Sequence, residues 1–318
     1  MILVTGSKGF VGQAVVNSLL NAAYDVRACS RQDDVTSHPR IHSFQNSDLS
    51  GSTDWHSALQ NVDVVIHLAA RVHMMSDSVM EPLTEFRKVN TDATLNLARQ
   101  AAGCGVKRFV FLSSIKVNGE ETNSESKFKP DDSFIPTDPY AVSKYEAEQG
   151  LLAIAKETGM EVVIIRPPLV YGPNVKANFA SMMKWSNRGV PLPLGAVYNQ
   201  RSFVALNNLV SFIIHCLEHP KAANEVFLIS DGEDVSTTEL LRKVASAFGK
   251  QAKLMPVPVK MMGFIAKVIG KKEVADRLFG SLQVDSSKAR ELLDWKPIIT
   301  MDEQLTKTAD AYLNEKIL

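Results

Sequence analysis

The feature that most constrains this chain is an alternation of strand and helix patterns that begins almost at its first residue. Ile2, Leu3 and Val4 form an unbroken apolar run, as in a strand buried on both faces, and residues 11–20 repeat their apolar positions at helical spacing. The alternation then recurs. Residues 25–29 read as a second strand, 62–68 ("VDVVIHL") as a buried strand, and 84–102 as a helix closed by Gly103 and Gly105. Residues 109–112 are the next strand, Asp138 and Pro139 are a good N-cap and first-turn pair for a helix running to about 157, and 161–167 ("EVVIIRP") is another buried strand. Strands that alternate with helices build a parallel sheet with right-handed crossovers, so the expected class is α/β, a sheet wound on both faces. After Pro167 the pattern becomes irregular, with a Pro-rich turn region at 189–195 ("GVPLPLG") and short strands near 202–204 and 226–229 between helices.

The first strand-to-helix turn reads "VTGSKGFVG", with Gly6, Gly9 and Gly12 at three-residue spacing. Glycines there let the backbone approach a pyrophosphate, and the following helix offers unpaired N–H groups and the positive end of its dipole. A glycine triplet alone is weak evidence, because a plain tight turn looks the same. The strand before it and the helix after it are what the motif requires. Residues 1–167 therefore read as a Rossmann-type dinucleotide-binding domain. Residues 168–318 read as a smaller α/β substrate domain on the sheet's C-terminal edge, with some exchange of strands and helices between the two. The second strand ends in "ACSRQDD". NAD sites carry an acid near this point for the ribose 2′-OH, and NADP sites an arginine. Ser30 stands at the acid position and Arg31 follows, which suits a 2′-phosphate. NADP(H) is the expected cofactor, with NAD(H) the alternative if Arg31 is a solvated cation and Asp33 does the work. Asp48 and Leu49 are placed to hold the adenine edge, and Leu68, Ala69 and Ala70 to pass under the cofactor riboses.

"PYAVSK" places Tyr140 and Lys144 four residues apart, on one face of the helix begun at Asp138. A phenol is a poor base at its ordinary pKa of about 10, and a neighbouring ammonium favours the phenolate and lowers that value. The pair then suits proton transfer on an alcohol or ketone. The apolar strand 109–112 delivers Ser113 and Ser114 to its tip, where a hydroxyl can orient the same oxygen. Tyr-x-x-x-Lys alone is usually an ordinary amphipathic helix; together with the glycine loop and a strand-tip serine, in this order, it is a catalytic constellation.

At these residues the chain resembles the extended short-chain dehydrogenase/reductases, specifically the nucleotide-sugar epimerase/dehydratase family. The likeness covers nearly the whole chain: "TGSKGFVG", "HLAA", Val89-Asn90, "SS", "VNG", "YAVSK", "RPPLVYGP" and "VDSSKARELLDW" fall in family order. It is most similar to a bacterial UDP-glucose 4-epimerase-like group that includes UDP-sugar 4-ketoreductases of surface polysaccharide synthesis. The resemblance implies Ser114, Tyr140 and Lys144 as catalytic residues, with Ser113 a strand-end residue near the cofactor. It also implies a cofactor set of Gly6, Lys8, Gly9, Phe10, Val11, Gly12, Ser30, Arg31, Asp48, Leu49, Leu68, Ala69, Ala70, Asn90, Ser113, Tyr140, Lys144, Pro167 and Leu169. Asn178, Arg201 and Arg277, with Ser114, are the implied substrate contacts, the arginines suiting a diphosphate. Family members that dehydrate sugars place Asp-Glu directly after the acting hydroxyl, and this chain has Ile115 and Lys116, so dehydration is disfavoured. Two other positions depart from the family: Asn118 replaces a tyrosine, and Leu169 stands where sugar epimerases often carry asparagine.

The expected reaction is hydride transfer at C4 of a UDP-linked hexose or N-acetylhexosamine, as reduction of a 4-keto sugar. The alternative is 4-epimerisation with tightly held NAD. A non-catalytic NADPH-binding module is a third class, disfavoured because such proteins commonly lose the Tyr-Lys pair. Lys+Arg and Asp+Glu are equal at 35 each, so no overall field favours nucleic acid. Cys29, Cys104 and Cys216 lack metal-type spacing and read as reduced thiols, the histidines lack ligand spacing, and no metal is expected. The chain opens on a strand, and its apolar runs near 62–70 and 209–217 are too short to span a bilayer, so a cytoplasmic protein without stable membrane insertion is expected. Residues 257–272 are amphipathic with Lys260, Lys267 and Lys271 toward one side; a core-packing helix is favoured over contact with an anionic membrane. A homodimer is expected, pairing the helices at 84–102 and Tyr140 through positions such as Leu95, Ala98 and Leu151, although these can equally face the sheet.

Overall fold

A computed structural model describes residues 1–31, 38–46, 48–72, 81–123 and 126–314. In chain order the strands among them are β1 (Ile2–Thr5), β2 (Val26–Ser30), β3 (Ile41–Gln45), β4 (Val64–His67), β5 (Arg108–Leu112), β6 (Glu161–Arg166), β7 (Leu169–Tyr171), β8 (Arg201–Ala205), β9 (Glu225–Leu228) and β10 (Asp234–Val235). Seven of them form one parallel sheet in the order β3-β2-β1-β4-β5-β6-β9, and the other three a small sheet in the order β10-β8-β7. The fold is the expected Rossmann-type α/β architecture. From β1 the chain steps outward to β2 and β3, returns to β4, and steps the other way. The switch point lies between β1 and β4, and in open α/β sheets ligands bind beyond the strand carboxyl ends at such a point.

Both faces of the sheet are buried at its central strands β1, β4, β5 and β6, which explains why these read as continuous apolar runs, while the edge strand β3 is largely exposed. Side chains alternate between the faces. Ile2, Val4, Val110, Val163 and Ile165 join one core, which also contains Val15, Leu19, Leu209, Phe212 and Ile213 of the helices Phe10–Asn21 and Leu206–His215. Leu3, Phe109, Phe111, Val162 and Ile164 join the other, with Leu97, Ala98, Ala101, Ala147 and Leu151 of the helices Ala93–Gly103 and Pro139–Thr158. Ala98 and Leu151 are thus turned to the sheet. Residues from beyond 167 complete the first sheet. β9 pairs with β6, and the Leu206–His215 helix packs against Phe10–Asn21.

Two sequence expectations change. Residues 84–102 are not one regular helix: an α segment Pro82–Phe86 passes into a π-helical turn, Arg87–Asp92, before Ala93–Gly103. The Ala93 N–H reaches back five residues to the Lys88 carbonyl, so the helix is locally widened around Asn90. The stretch near 257–272 is not a core-packing helix either. It contains the helix Val259–Val268, in which Met262 is buried while Met261, Phe264, Ile265 and Val268 face solvent.

Candidate functional site

The glycine loop fits a dinucleotide by shape. Gly6 has φ +67°, and a Cβ there would sit 2.9 Å from the Ala69 nitrogen; at Gly12 it would sit 2.0 Å from the Gly6 carbonyl oxygen. Only glycine permits a loop wound this tightly under the "HLAA" segment. Gly9 is the N-cap of Phe10–Asn21 and has no side chain to cap it, so the first-turn N–H groups keep their donors for an anion. Ser7 donates to the Cys29 carbonyl at 2.9 Å and ties the loop to β2. Of the other cofactor candidates, Lys8 lies exposed on this loop, while Phe10, Val11 and Leu68 pack partly onto the core and Ala69 is buried. Ser30 ends β2 and Arg31 follows it, exposed. Asp48 is exposed and Leu49 packs on the second core, whereas Asp33 and Asp34 lie outside the described residues. Pro167 is buried, its carbonyl accepting from the Ile115 N–H at 3.0 Å; Leu169 is 41% exposed at the start of β7.

A buried hydrogen-bond relay ties β1, β4 and the helix Ala93–Gly103 together at this end of the sheet. The Ala69 N–H meets Thr5 Oγ1 (3.3 Å), Thr5 meets His67 Nδ1 (2.7 Å), His67 Nε2 meets Thr94 Oγ1 (2.9 Å), and the Thr94 hydroxyl donates to the Asn90 carbonyl (2.7 Å). Because Thr94 gives its proton to a carbonyl, His67 must donate from Nε2 and accept at Nδ1. The neutral ring satisfies every partner and the protonated ring does not. Burial, with the Lys144 charge, pushes His67 down to about 3. The Asn90 side chain continues the relay. Its Oδ1 accepts from the Arg71 N–H, and its Nδ2 donates to the Arg71 carbonyl and to Ser143 Oγ, whose own hydroxyl donates to the Tyr140 carbonyl. The widened π turn puts Asn90 where it reaches both the end of the β4 segment and the Tyr140 helix.

This gives a pH expectation with a definite sign. His67 has a folded pKa below its unfolded value, so its contribution is present above the unfolded value and is lost as pH falls. With about 6.5 unfolded and about 3 folded, about 2 kcal/mol of unfolding free energy present at pH 7 is absent at pH 5. Urea titrations at the two pH values check it: His67→Gln, less stable at pH 7, shows a much smaller difference. An equal difference in both proteins refutes the assignment.

The Ser-Tyr-Lys constellation assembles. Asp138 caps Pro139–Thr158 by accepting from the Ala141 N–H at 3.0 Å, and Pro139 starts the helix. Tyr140 lies against Phe86, ring centroids 5.9 Å apart and nearly edge-on, and the Ser114 side chain is near enough to its phenol to favour the ionised form. Ser114 is also the N-cap of the short 3-10 turn Ile115–Val117, accepting from the Lys116 N–H at 3.3 Å. Lys144 is buried, with Nζ 4.0 Å from the centre of the Phe111 ring. The expected electrostatics are corrected here. Burial pushes the Tyr140 phenol up to about 12, Ser114 supplies the pull downward, and the Asp138 charge raises it further. Lys144 contributes no resolved lowering, because its own ammonium is driven down to about 7 by burial, against the pull of Glu148.

Ser113 is buried at the end of β5. Its hydroxyl donates to buried Glu148, which is paired through both oxygens with buried Arg166. Arg166 also reaches Asn118 Oδ1 (3.0 Å) and the Pro130 carbonyl (3.2 Å). Asn118 thus acts as a structural amide, its Nδ2 donating to the Lys129 carbonyl at 2.7 Å. Ile115 is buried in a cluster with Leu228, Leu282 and Val284, while Lys116 pairs with Glu120 (3.0 Å) and Asp138 (3.5 Å).

On the substrate side Asn178 is exposed near the start of the helix Ala177–Arg188. Arg201 opens β8, and its Nη1 donates to the carbonyls of Arg277 (2.8 Å) and Gly280 (3.0 Å), so its guanidinium is held in place by backbone. Arg277 is itself exposed on the helix Lys272–Phe279. Among the described residues no group of three His, Cys, Asp or Glu is arranged to hold a metal ion. No helix among them is long and apolar enough to cross a membrane.

Sequence reasoning missed Thr5, Thr94, Ser143 and Glu148. Glu148 left a usable signal: it continues the four-residue spacing of Tyr140 and Lys144 along the same helix face. The threonines left none, because their partner, His67, is distant in sequence.

A family profile described as the NAD dependent epimerase/dehydratase family matches residues 2–230. A UDP-glucose 4-epimerase of Vibrio cholerae is 50% identical over 314 residues, which is 98% of this chain and 95% of that protein. Among solved structures, UDP-glucuronic acid 4-epimerase from Bacillus cereus in complex with NAD aligns with a TM-score of 0.78 at 24% identity over 98% of each chain. UDP-glucose 4-epimerase from Thermotoga maritima, with UDP-glucose, aligns with a TM-score of 0.73 at 24% identity over 99% of each. The chain belongs to the NAD dependent epimerase/dehydratase family of extended short-chain dehydrogenase/reductases, and is a nicotinamide-dependent enzyme of that type.

Proposed function

We propose that the protein interconverts UDP-linked hexoses epimeric at C4, retaining NAD in the cradle of Gly6, Gly9 and Gly12. The observation that carries this reading is the meeting of Ser114, at a strand tip, with Tyr140 of the helix that also carries Lys144, where the two side chains after the serine are a buried isoleucine and an ion-paired lysine. That set can move a proton on a sugar oxygen. It offers no carboxylate at positions 115 and 116 to expel a hydroxyl. The nicotinamide, when bound, supplies a reversible hydride acceptor for C4. Tyr140 then takes or returns the proton of the C4 oxygen, Ser114 holds that oxygen and the phenol in line, and Lys144, titrating near neutrality, is a second proton store four residues away. Arg201, fixed by two carbonyls, suits the diphosphate.

The epimerase reading replaces the 4-keto reductase expected from the sequence. Its support is the half-identical V. cholerae relative and the 4-epimerases among the aligned structures. NAD replaces NADP as the proposed cofactor. Its support is the family's description and the NAD in the B. cereus structure, while Ser30 and Arg31 alone carried the case for NADP. Two copies pairing through the Ala93–Gly103 and Pro139–Thr158 helices would need their outer faces, since Ala98 and Leu151 are buried against the sheet; light scattering tests this.

The nucleotide released from denatured protein is the direct test. Stoichiometric NAD⁺, with UDP-glucose and UDP-galactose interconverted without added cofactor, is the expected result. Cofactor-free protein that consumes NADPH with a UDP-4-keto sugar, and does not epimerise, overturns the proposal.

A further inference from the structure

The helix Val259–Val268 carries its apolar stripe on the outside. Met261, Phe264, Ile265 and Val268 stand at i, i+3, i+4 and i+7, the spacing of a single helix face. Phe264 is 69% and Val268 71% exposed. Met262 faces the body of the protein instead, in a cluster with Leu194, Val197 and Leu241. Ile269, past the helix end, and Val274 on the adjoining helix Lys272–Phe279 extend the exposed apolar surface. Isolated exposed apolar residues are ordinary; a contiguous patch rimmed by cations marks a contact surface. At 100° per residue, Lys260 and Lys267 project close together beside Phe264, and Lys271 and Lys272 follow. Over the two helices, residues 258–279, Lys260, Lys267, Lys271, Lys272 and Arg277 outnumber Glu273 and Asp276, in a chain of formal net charge +0.

We propose that this pair of helices docks the protein on an anionic bilayer surface. The apolar stripe would lie at the boundary between headgroups and acyl chains, with the lysines on lipid phosphates. Charge complementarity selects this occupant. A second copy meeting the same face by two-fold symmetry would bring the lysines against their own equivalents. Ten residues are too few to cross a bilayer, so the contact is interfacial. The docking element adjoins the substrate end of the molecule, because Lys272–Phe279 and the turn after it supply the two carbonyls that hold Arg201.

Co-sedimentation with vesicles tests this without reference to turnover, so its outcome is separate from that of the proposed reaction. The full-length protein is expected to pellet with phosphatidylcholine vesicles containing phosphatidylglycerol, to stay in solution with phosphatidylcholine alone, and to be released by salt. Lys260→Ala/Lys267→Ala is expected to weaken partitioning roughly twenty-five-fold, about fivefold for each lysine removed. Phe264→Glu/Val268→Glu is expected to abolish it. Both variants should keep the wild-type melting temperature and circular dichroism, which shows that they fold. Wild-type protein that ignores anionic vesicles, or variants that bind as well as wild type, overturn the proposal. A wild-type dimer that Phe264→Glu/Val268→Glu dissociates, without lipid binding by either protein, also overturns it and assigns the patch to a second copy.

Discussion

Tyr140→Phe is expected to lower kcat with UDP-glucose by roughly 10²–10⁴-fold, the usual contribution of a positioned acid–base group, while leaving the fold and the bound nucleotide unchanged. The reasoning is local. The substitution removes one oxygen and keeps the ring that packs edge-on against Phe86, so no cavity forms. The partner that loses its contact, Ser114, still accepts from the Lys116 N–H and lies at a half-exposed strand tip, so it is not stranded in the core. A structural role for Tyr140 would show as a lower melting temperature with little change in kcat. A catalytic role shows as the reverse. Turnover within threefold of wild type would remove Tyr140, and with it the proposed proton path.

The second large effect concerns stability. Glu148→Ala is expected to lower the unfolding free energy by about 3–5 kcal/mol, because it leaves the buried Arg166 guanidinium without its counter-charge. Among the described residues Arg166 then retains only neutral partners, Asn118 and the Pro130 carbonyl, and the Ser113 hydroxyl loses its Glu148 acceptor. Replacing both ions by apolar groups is a different matter, since it removes the stranded charge as well. Glu148→Ala/Arg166→Met should therefore recover a large part of the loss. Chemical denaturation of wild type, both single variants and the double variant measures the coupling. Additive losses would mean that the pair is not a unit. Lys144 offers a second readout: Glu148 is what pulls its pKa upward, so the variant should carry more neutral Lys144 near pH 7.

Much of this molecule was legible in its sequence, for a physical reason. Buried parallel strands leave apolar runs, crossover helices leave a helical period, and Gly6 and Gly12 are needed where a Cβ would strike backbone. The candidate group of Ser114, Tyr140 and Lys144 could be picked out because the last two are four apart on one helix and the serine follows a strand. What failed were inferences about environment. Ionisation at Tyr140 and Lys144 depends on burial, which spacing does not reveal. The Val259–Val268 helix has the period of a core helix, and a period does not say which side of the stripe meets water. The π turn at Arg87–Asp92 arises where Asn90 engages Arg71 and Ser143, both distant in sequence, so a local helical pattern could not announce it. The cofactor preference rested on two side chains at the end of β2, one of them exposed and free to serve solvent as well as phosphate.

The pairing of β9 with β6 bears on how the chain is made. A ribosome releases the glycine loop, the relay and the whole Tyr140 helix before it has synthesised the strand that covers the outer edge of β6. Until Glu225–Leu228 emerges, the nascent first half presents an open, apolar strand edge, which is a template for unwanted pairing with neighbouring chains. Nor can the Leu206–His215 helix yet cover the face above Phe10–Asn21. The cofactor half should therefore not mature as an independent unit during translation. Fragments ending near residue 167 should be insoluble, and chaperone demand should fall only once the later strand has closed the sheet.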